Sequence, residues 1–210
     1  MAPTPTEIEQ YDRAAPDSDA TETATFALGC FWGPDARFGA LDGVVRTRVG
    51  YAGGTATDPT YHDLGDHTEV FQVDYDPEER SFAELLDLAF RNHDPNRQTR
   101  KTQYQNIVFV ATPAQREALT DYLDANGYTA EGVATRIKQL SRFYPAEAYH
   151  QKHSLRGKQS LLTTFEQAGY DDDQLRESPA AAKLNGYAAG KELSEGHDLG
   201  TADNRTVHST

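Results

Sequence analysis

Phe26-Ala27-Leu28-Gly29-Cys30-Phe31-Trp32-Gly33 is the stretch on which the reading of this chain turns. Three apolar residues followed by a glycine read as a short buried strand ending in a tight turn, with a helix expected to open at Cys30. The same hand-over from strand to helix recurs downstream. Residues 44–51 read as a second strand, closed by Ala52-Gly53-Gly54. Across 69–75, Phe71, Val73 and Tyr75 alternate with polar neighbours at the period of a half-buried strand. Ser81, with Glu84 three residues later, forms a capping box ahead of Leu85, Leu86, Leu88, Ala89 and Phe90, so a helix follows that strand. A strand at 106–110 leads to Thr112 as N-cap and Pro113 at the first helical position. That helix runs to 125–126, with Gly127 as its stop. A strand near 135–138 and helices near 146–153 and 157–165 complete the pattern. Strand runs separated by helical runs imply an α+β or α/β arrangement with helices layered on one sheet.

Working outward, 210 residues suffice for one domain with a hydrophobic core. The segment 1–23 is polar and acidic and holds Pro3, Pro5 and Pro16, so it is expected to be a mobile arm. The folded body is expected over 24–168. Apolar residues thin out beyond it, and 169–210 is expected to be a largely irregular extension. Apolar runs such as Ile107-Val108-Phe109-Val110 are far shorter than the roughly 18–20 residues of a membrane-spanning helix. The first twenty residues lack the apolar stretch of a secretory signal, so a cytoplasmic location is expected. A formal net charge of -13 disfavours nucleic acid, whose phosphates demand basic surface.

The chain holds one cysteine. Within these residues there can be no disulfide, no CxxC pair and no cysteine zinc cluster. A lone cysteine is more often buried and inert than reactive. Here the flanking Gly29 and Gly33 leave the backbone open to approach, and Phe31 and Trp32 supply an aromatic wall. At the junction of strand and helix, unpaired N–H groups and the positive end of the helix dipole are expected to lower the thiol pKa and make Cys30 a nucleophile.

Gly29-Cys30-Phe31-Trp32-Gly33 also resembles the signature of the A-type peptide methionine sulfoxide reductases. Further blocks similar to that family follow in order. They are Gly50-Tyr51-Ala52-Gly53-Gly54, Pro59-Thr60-Tyr61, His67-Thr68-Glu69-Val70, Asn92-His93-Asp94-Pro95, Thr102-Gln103-Tyr104, Phe143-Tyr144-Pro145-Ala146-Glu147 and Tyr149-His150-Gln151. The resemblance spans about 26–156. It implies an α+β fold, a two-layer α/β sandwich with a mixed sheet on a ferredoxin-like core plus extensions. It also implies a reaction in which Cys30 attacks the sulfoxide sulfur while a protonated Glu69 delivers a proton to the oxygen. Tyr61 and Tyr104 would hydrogen-bond that oxygen, and Gly29, Phe31 and Trp32 would bind the substrate around its methyl group. The products would be methionine, from the S epimer of the sulfoxide in proteins or in free form, and a sulfenic acid on Cys30. No bound cofactor or metal is implied, and a monomer is expected.

Three departures and alternatives accompany this reading. Relatives often resolve the sulfenic acid with further cysteines, so here an external thiol reductant, a thioredoxin-like protein or a small thiol, is required. Relatives commonly carry Asn-Asp-x-Gly before Thr-Gln-Tyr, whereas this loop reads Asn96-Arg97-Gln98-Thr99-Arg100-Lys101 and Thr99 stands in place of the Asp. Asp35 replaces a Glu and is expected to keep its hydrogen bonds. His67, two positions before Glu69, either orients the carboxyl or packs beside it. The competing readings are a single-cysteine peroxidase or thiol transferase, a non-catalytic sulfoxide-binding or protein-interaction module, and a metal site built from His150 and His153 on one helix face with His67 and Glu69.

Overall fold

In a computed structural model of the chain, residues 2–129, 132–194 and 199 are described. Six strands form one mixed sheet in the order β5-β4-β1-β3-β2-β6. They are β1 (Glu22–Leu28), β2 (Val44–Ala52), β3 (Thr68–Tyr75), β4 (Asn106–Val110), β5 (Arg136–Gln139) and β6 (Phe143–Pro145). All neighbours are antiparallel except β4 and β5, which run parallel. The molecule is an α+β protein.

The helices α2 (Trp32–Gly39), α3 (Phe82–Arg91) and α4 (Pro113–Ala125) pack on one face of the sheet. There Phe26, Phe38, Phe71, Leu85, Leu86 and Leu119 share one apolar core. Each fully buried aromatic or leucine contributes about 1.5–3 kcal/mol by leaving water. The opposite face is thinner, with Ala27, Val70, Ile107 and Phe109 covered by Leu140 and Phe143. Local signals account for the helix ends. Ser81 and Glu84 make both halves of the capping box of α3, and the Thr112 side chain accepts from the Gln115 N–H at the start of α4. Gly127 after α4 has φ +71°, the left-handed turn that favours glycine.

The termini differ from the sequence-based expectation. Residues of the expected mobile arm form α1 (Pro5–Ala14), capped by Thr4 and Glu7, and Ile8 on it is fully buried. The expected irregular extension forms α7 (Asp172–Glu177) and α8 (Pro179–Ala188). α7 carries one apolar residue, Leu175, and α8 opens with Ala180-Ala181-Ala182, so neither shows a helical period to read. With α5 (His153–Arg156) and α6 (Gln159–Gln167) these helices build a second core from Ile8, Leu155, Phe165, Leu175, Leu184 and Leu199. Of the expected extension, 195–198 and 200–210 lie outside the described residues.

The helix expected over 146–153 is also corrected. Ala148–His150 is a single 3-10 turn, and Lys152, at φ +52°, breaks the chain before α5. The residues just before it form the edge strand β6 instead, whose Phe143-Tyr144-Pro145 is too short to show an alternation. No helix among the described residues is long and apolar enough to cross a membrane.

Candidate active site

Cys30 lies in the turn between β1 and α2, two residues ahead of Trp32, where the helix begins. Gly29, at φ +75°, turns the chain out of the sheet, and a side chain there would be strained even though the space around it is open. Gly33 faces open space as well, so both flanks of Cys30 are clear, and the thiol is exposed. Behind the turn α2 is held by α8 at very close range. A Cβ added at Gly186 would sit 2.6 Å from the Ala40 Cβ and 2.7 Å from the Ala36 carbonyl oxygen.

The centre of β3 delivers Glu69 to the same place. Its side chain is only 2 % exposed, Oε2 accepts the Phe31 N–H at 3.2 Å, and Oε1 accepts from Gln103 Nε2 at 2.7 Å. The carboxyl is thereby tied to the residue that follows Cys30. Burial pushes the Glu69 pKa up, and the hydrogen bonds from Gln103 and Phe31 and the charge of Lys101 offset this only in part. A protonated carboxyl is therefore favoured beyond the usual range.

The thiol does not follow the expectation of a lowered pKa. Burial raises it, the Trp32 N–H pulls it down, and the Glu69 charge raises it again, for a net upward shift. The helix is short, eight residues, and Cys30 precedes its first turn, so one backbone donor is set against desolvation and a carboxylate.

Tyr61 and Tyr104 come together from separate loops. Tyr104, in the 3-10 turn Thr102–Tyr104, lies near Tyr61, Glu69 and Cys30; burial, first, and these neighbours raise its pKa. Tyr61 is held through its backbone N–H, which donates to Glu147 Oε1 at 2.9 Å, while Tyr51 Oη donates to the other oxygen at 2.7 Å. Burial raises the Glu147 pKa, but these two bonds outweigh it and hold the group below its ordinary value.

The aromatic wall divides unequally. Phe31 is 1 % exposed and packs into the main core against Tyr51, whereas Trp32 is partly exposed and stacks on His153 at 3.8 Å between centroids. Trp32 Nε1 donates to His150 Nδ1 at 3.3 Å, which puts the imidazole proton on Nε2. Burial lowers the His150 pKa.

Gln103, Glu147 and Tyr51 thus lie at the site although no role was read for them in the sequence, and His150 lies there although it was read only as a candidate metal ligand. Each lies inside a block that resembles the family, which was the only signal for the first three. His67 is turned elsewhere. Its Nδ1 accepts from the Gly54 N–H at 3.2 Å and its Nε2 contacts the Ala56 carbonyl oxygen at 2.8 Å, so it braces the 53–56 loop rather than Glu69. His150 and His153 do not share a helix, and no group of three His, Cys, Asp or Glu side chains suited to a metal ion occurs among the described residues. Asp35 keeps one bond, from Asn185 Nδ2 at 2.8 Å, and its other oxygen is buried without a partner. Thr99 is exposed, with its hydroxyl accepting the Lys101 N–H at 3.2 Å.

An open thiol, a buried carboxyl and a pair of phenols are thus brought together, an arrangement suited to thiol chemistry. A family model described as peptide methionine sulfoxide reductase matches residues 22–180. The Drosophila melanogaster peptide methionine sulfoxide reductase is 45 % identical over 171 residues, covering 80 % of this chain and 68 % of that one. Methionine sulfoxide reductase A of Corynebacterium diphtheriae is similar in structure, with a TM-score of 0.56 at 33 % identity over 70 % of this chain and 78 % of that one. The reduced form of Mxr1 from Saccharomyces cerevisiae gives a TM-score of 0.56 at 28 % identity over 75 % and 92 %. The chain belongs to the peptide methionine sulfoxide reductase family, type A, and is an oxidoreductase of protein repair.

Proposed function

We propose that the enzyme reduces the S epimer of methionine sulfoxide, in proteins or as the free amino acid, through a sulfenic acid on Cys30. The observation that carries this reading is the tie between Glu69 and the Phe31 N–H, which sets a carboxyl with a raised pKa beside the thiol. As the Cys30 sulfur attacks the sulfoxide sulfur, Glu69 donates a proton to the oxygen, which would otherwise be a poor leaving group. Tyr61 and Tyr104 donate hydrogen bonds as charge grows on that oxygen, and Trp32 with Gly29 and Phe31 frames the methyl side. The oxygen ends on Cys30, so methionine sulfoxide is reduced by two electrons to methionine and the thiol is oxidised by two.

The single cysteine supports resolution by an external thiol reductant, a thioredoxin-like protein or a small thiol. One external thiol attacks the sulfenic acid, releasing water and leaving a mixed disulfide; a second thiol attacks that disulfide and frees Cys30. The balance is one sulfoxide and two thiols giving one thioether, one disulfide and one water. We also read β1-α2-β2-β3-α3-β4 as a ferredoxin-like core, supported by the neighbour order β4-β1-β3-β2, with β5 and β6 as additions at its edges.

A racemic sulfoxide peptide incubated with dithiol reductant tests the reaction. The wild type is expected to consume one epimer and leave the other, and Cys30→Ser to consume neither. Consumption of both epimers, or turnover by Cys30→Ser, would overturn the assignment.

A further inference from the structure

One cation at the edge of this site touches Glu69 only through its charge. Lys101 precedes the 3-10 turn that carries Gln103 and Tyr104, and its ammonium lies 4.4 Å from the centroid of the Tyr104 ring. The residue is exposed and makes no ion pair among the described residues, whereas Arg48, Arg80, Arg91, Arg156 and Arg176 are each engaged by a carboxylate. Its neighbours Arg97 and Arg100 are exposed too, so this one loop offers positive charge beside the site.

Building on the reductase reading, we infer that Lys101 is a specificity-determining residue that receives a carboxylate carried by the substrate next to its sulfoxide. A sulfoxide oxygen held by the Tyr61 and Tyr104 hydroxyls puts the rest of the substrate beside the Tyr104 ring. The sulfoxide sulfur stands three bonds from its own Cα and one residue of extended chain adds roughly 3.3–3.6 Å, so the α-carboxylate or an acidic side chain on the next residue can be turned toward the ammonium. The carboxylate is either an acidic side chain flanking the oxidised methionine or the α-carboxylate of free methionine sulfoxide. Resting over the ring, the ammonium is already partly ordered, which reduces the entropy lost when it meets an anion. The net charge of the chain repels acidic substrates at long range. At about 0.1 M salt that repulsion is screened beyond roughly 10 Å, while a direct contact survives.

The test compares kcat/KM at that salt for matched sulfoxide peptides bearing Asp, Asn or Lys beside the sulfoxide, and for free methionine sulfoxide against its N-acetyl amide. Wild type is expected to favour Asp over Asn by about threefold, the range of an exposed ion pair. Lys101→Arg is expected to keep that preference and Lys101→Glu to invert it in favour of Lys. A preference on the peptide series identifies a side-chain carboxylate as the ligand, and one confined to the free amino acid identifies the α-carboxylate. Equal use of both pairs by wild type, or a preference that Lys101→Glu leaves unmoved, overturns the inference. The same ranking is read from binding of the peptides to Cys30→Ser, which needs no turnover. Failure of the reductase reading would appear separately, as no reduction of the Asn peptide by wild type.

Discussion

Burial pushes both Glu69 and Cys30 toward their neutral forms, and the Glu69 charge pushes the thiol further the same way. A general acid works below its own pKa and a thiolate above, so the active form is set by both titrations together. With the Glu69 pKa raised, its proton is retained to higher pH than on an ordinary carboxyl and is lost as pH climbs through that raised value. Glu69→Gln is expected to lower kcat by about a hundredfold or more, the usual worth of a positioned acid. The same change removes the repulsion on Cys30, so alkylation of the thiol followed against pH is expected to titrate at lower pH than in wild type. Unfolding would also free the thiol from burial, so a far-UV circular dichroism spectrum matching wild type accompanies the titration. An unmoved thiol titration would mean that the two groups do not interact.

At the scale of elements, α2 is the part that aims the site, since Cys30 and Trp32 sit at its start. Its position depends on α8, which approaches so closely that Gly186 leaves no room for a methyl group. Gly186→Ala is expected to force the helices apart, costing about 1–3 kcal/mol in urea unfolding and lowering kcat although residue 186 touches no substrate. Full stability together with full activity would show that the contact is slack. Elements bounded by local chemistry were legible in advance. Ser81 with Glu84, Thr112 with Pro113, and Gly127 mark their helix ends through bonds or turns within a few residues. The split of 148–156 into a 3-10 turn and α5 was not legible, because Lys152 at positive φ is held from a distance. Its ammonium donates to the Thr47 carbonyl oxygen at 2.5 Å and to that of Arg176 at 3.1 Å.

For the molecule as a whole, the helices α1, α7 and α8 pack into a second core rather than trailing from the first. Ile8 enters a core made by α5, α6, α7 and α8, and Asp12 accepts from Tyr170 Oη at 2.8 Å and the Ala180 N–H at 2.7 Å. Ile8→Ala is expected to cost about 2–5 kcal/mol in denaturant unfolding, as for a buried aliphatic truncation, with kcat preserved at temperatures where the protein stays folded. A loss within 0.5 kcal/mol would show that α1 is undocked in solution.

What the sequence by itself determined is the α+β alternation, the caps, and the presence of a thiol, a carboxyl and two phenols in family-like blocks, all of which are encoded within short windows. Only the tertiary structure decided how those groups meet. Glu69 reaches Phe31 across 38 residues, Glu147 reaches Tyr61 across 86, and α1 reaches Ala180 across 168. The tertiary structure also decided the sign of the Cys30 shift. A residue type carries its reference pKa, but desolvation and neighbouring charge exist only once the chain has closed around it.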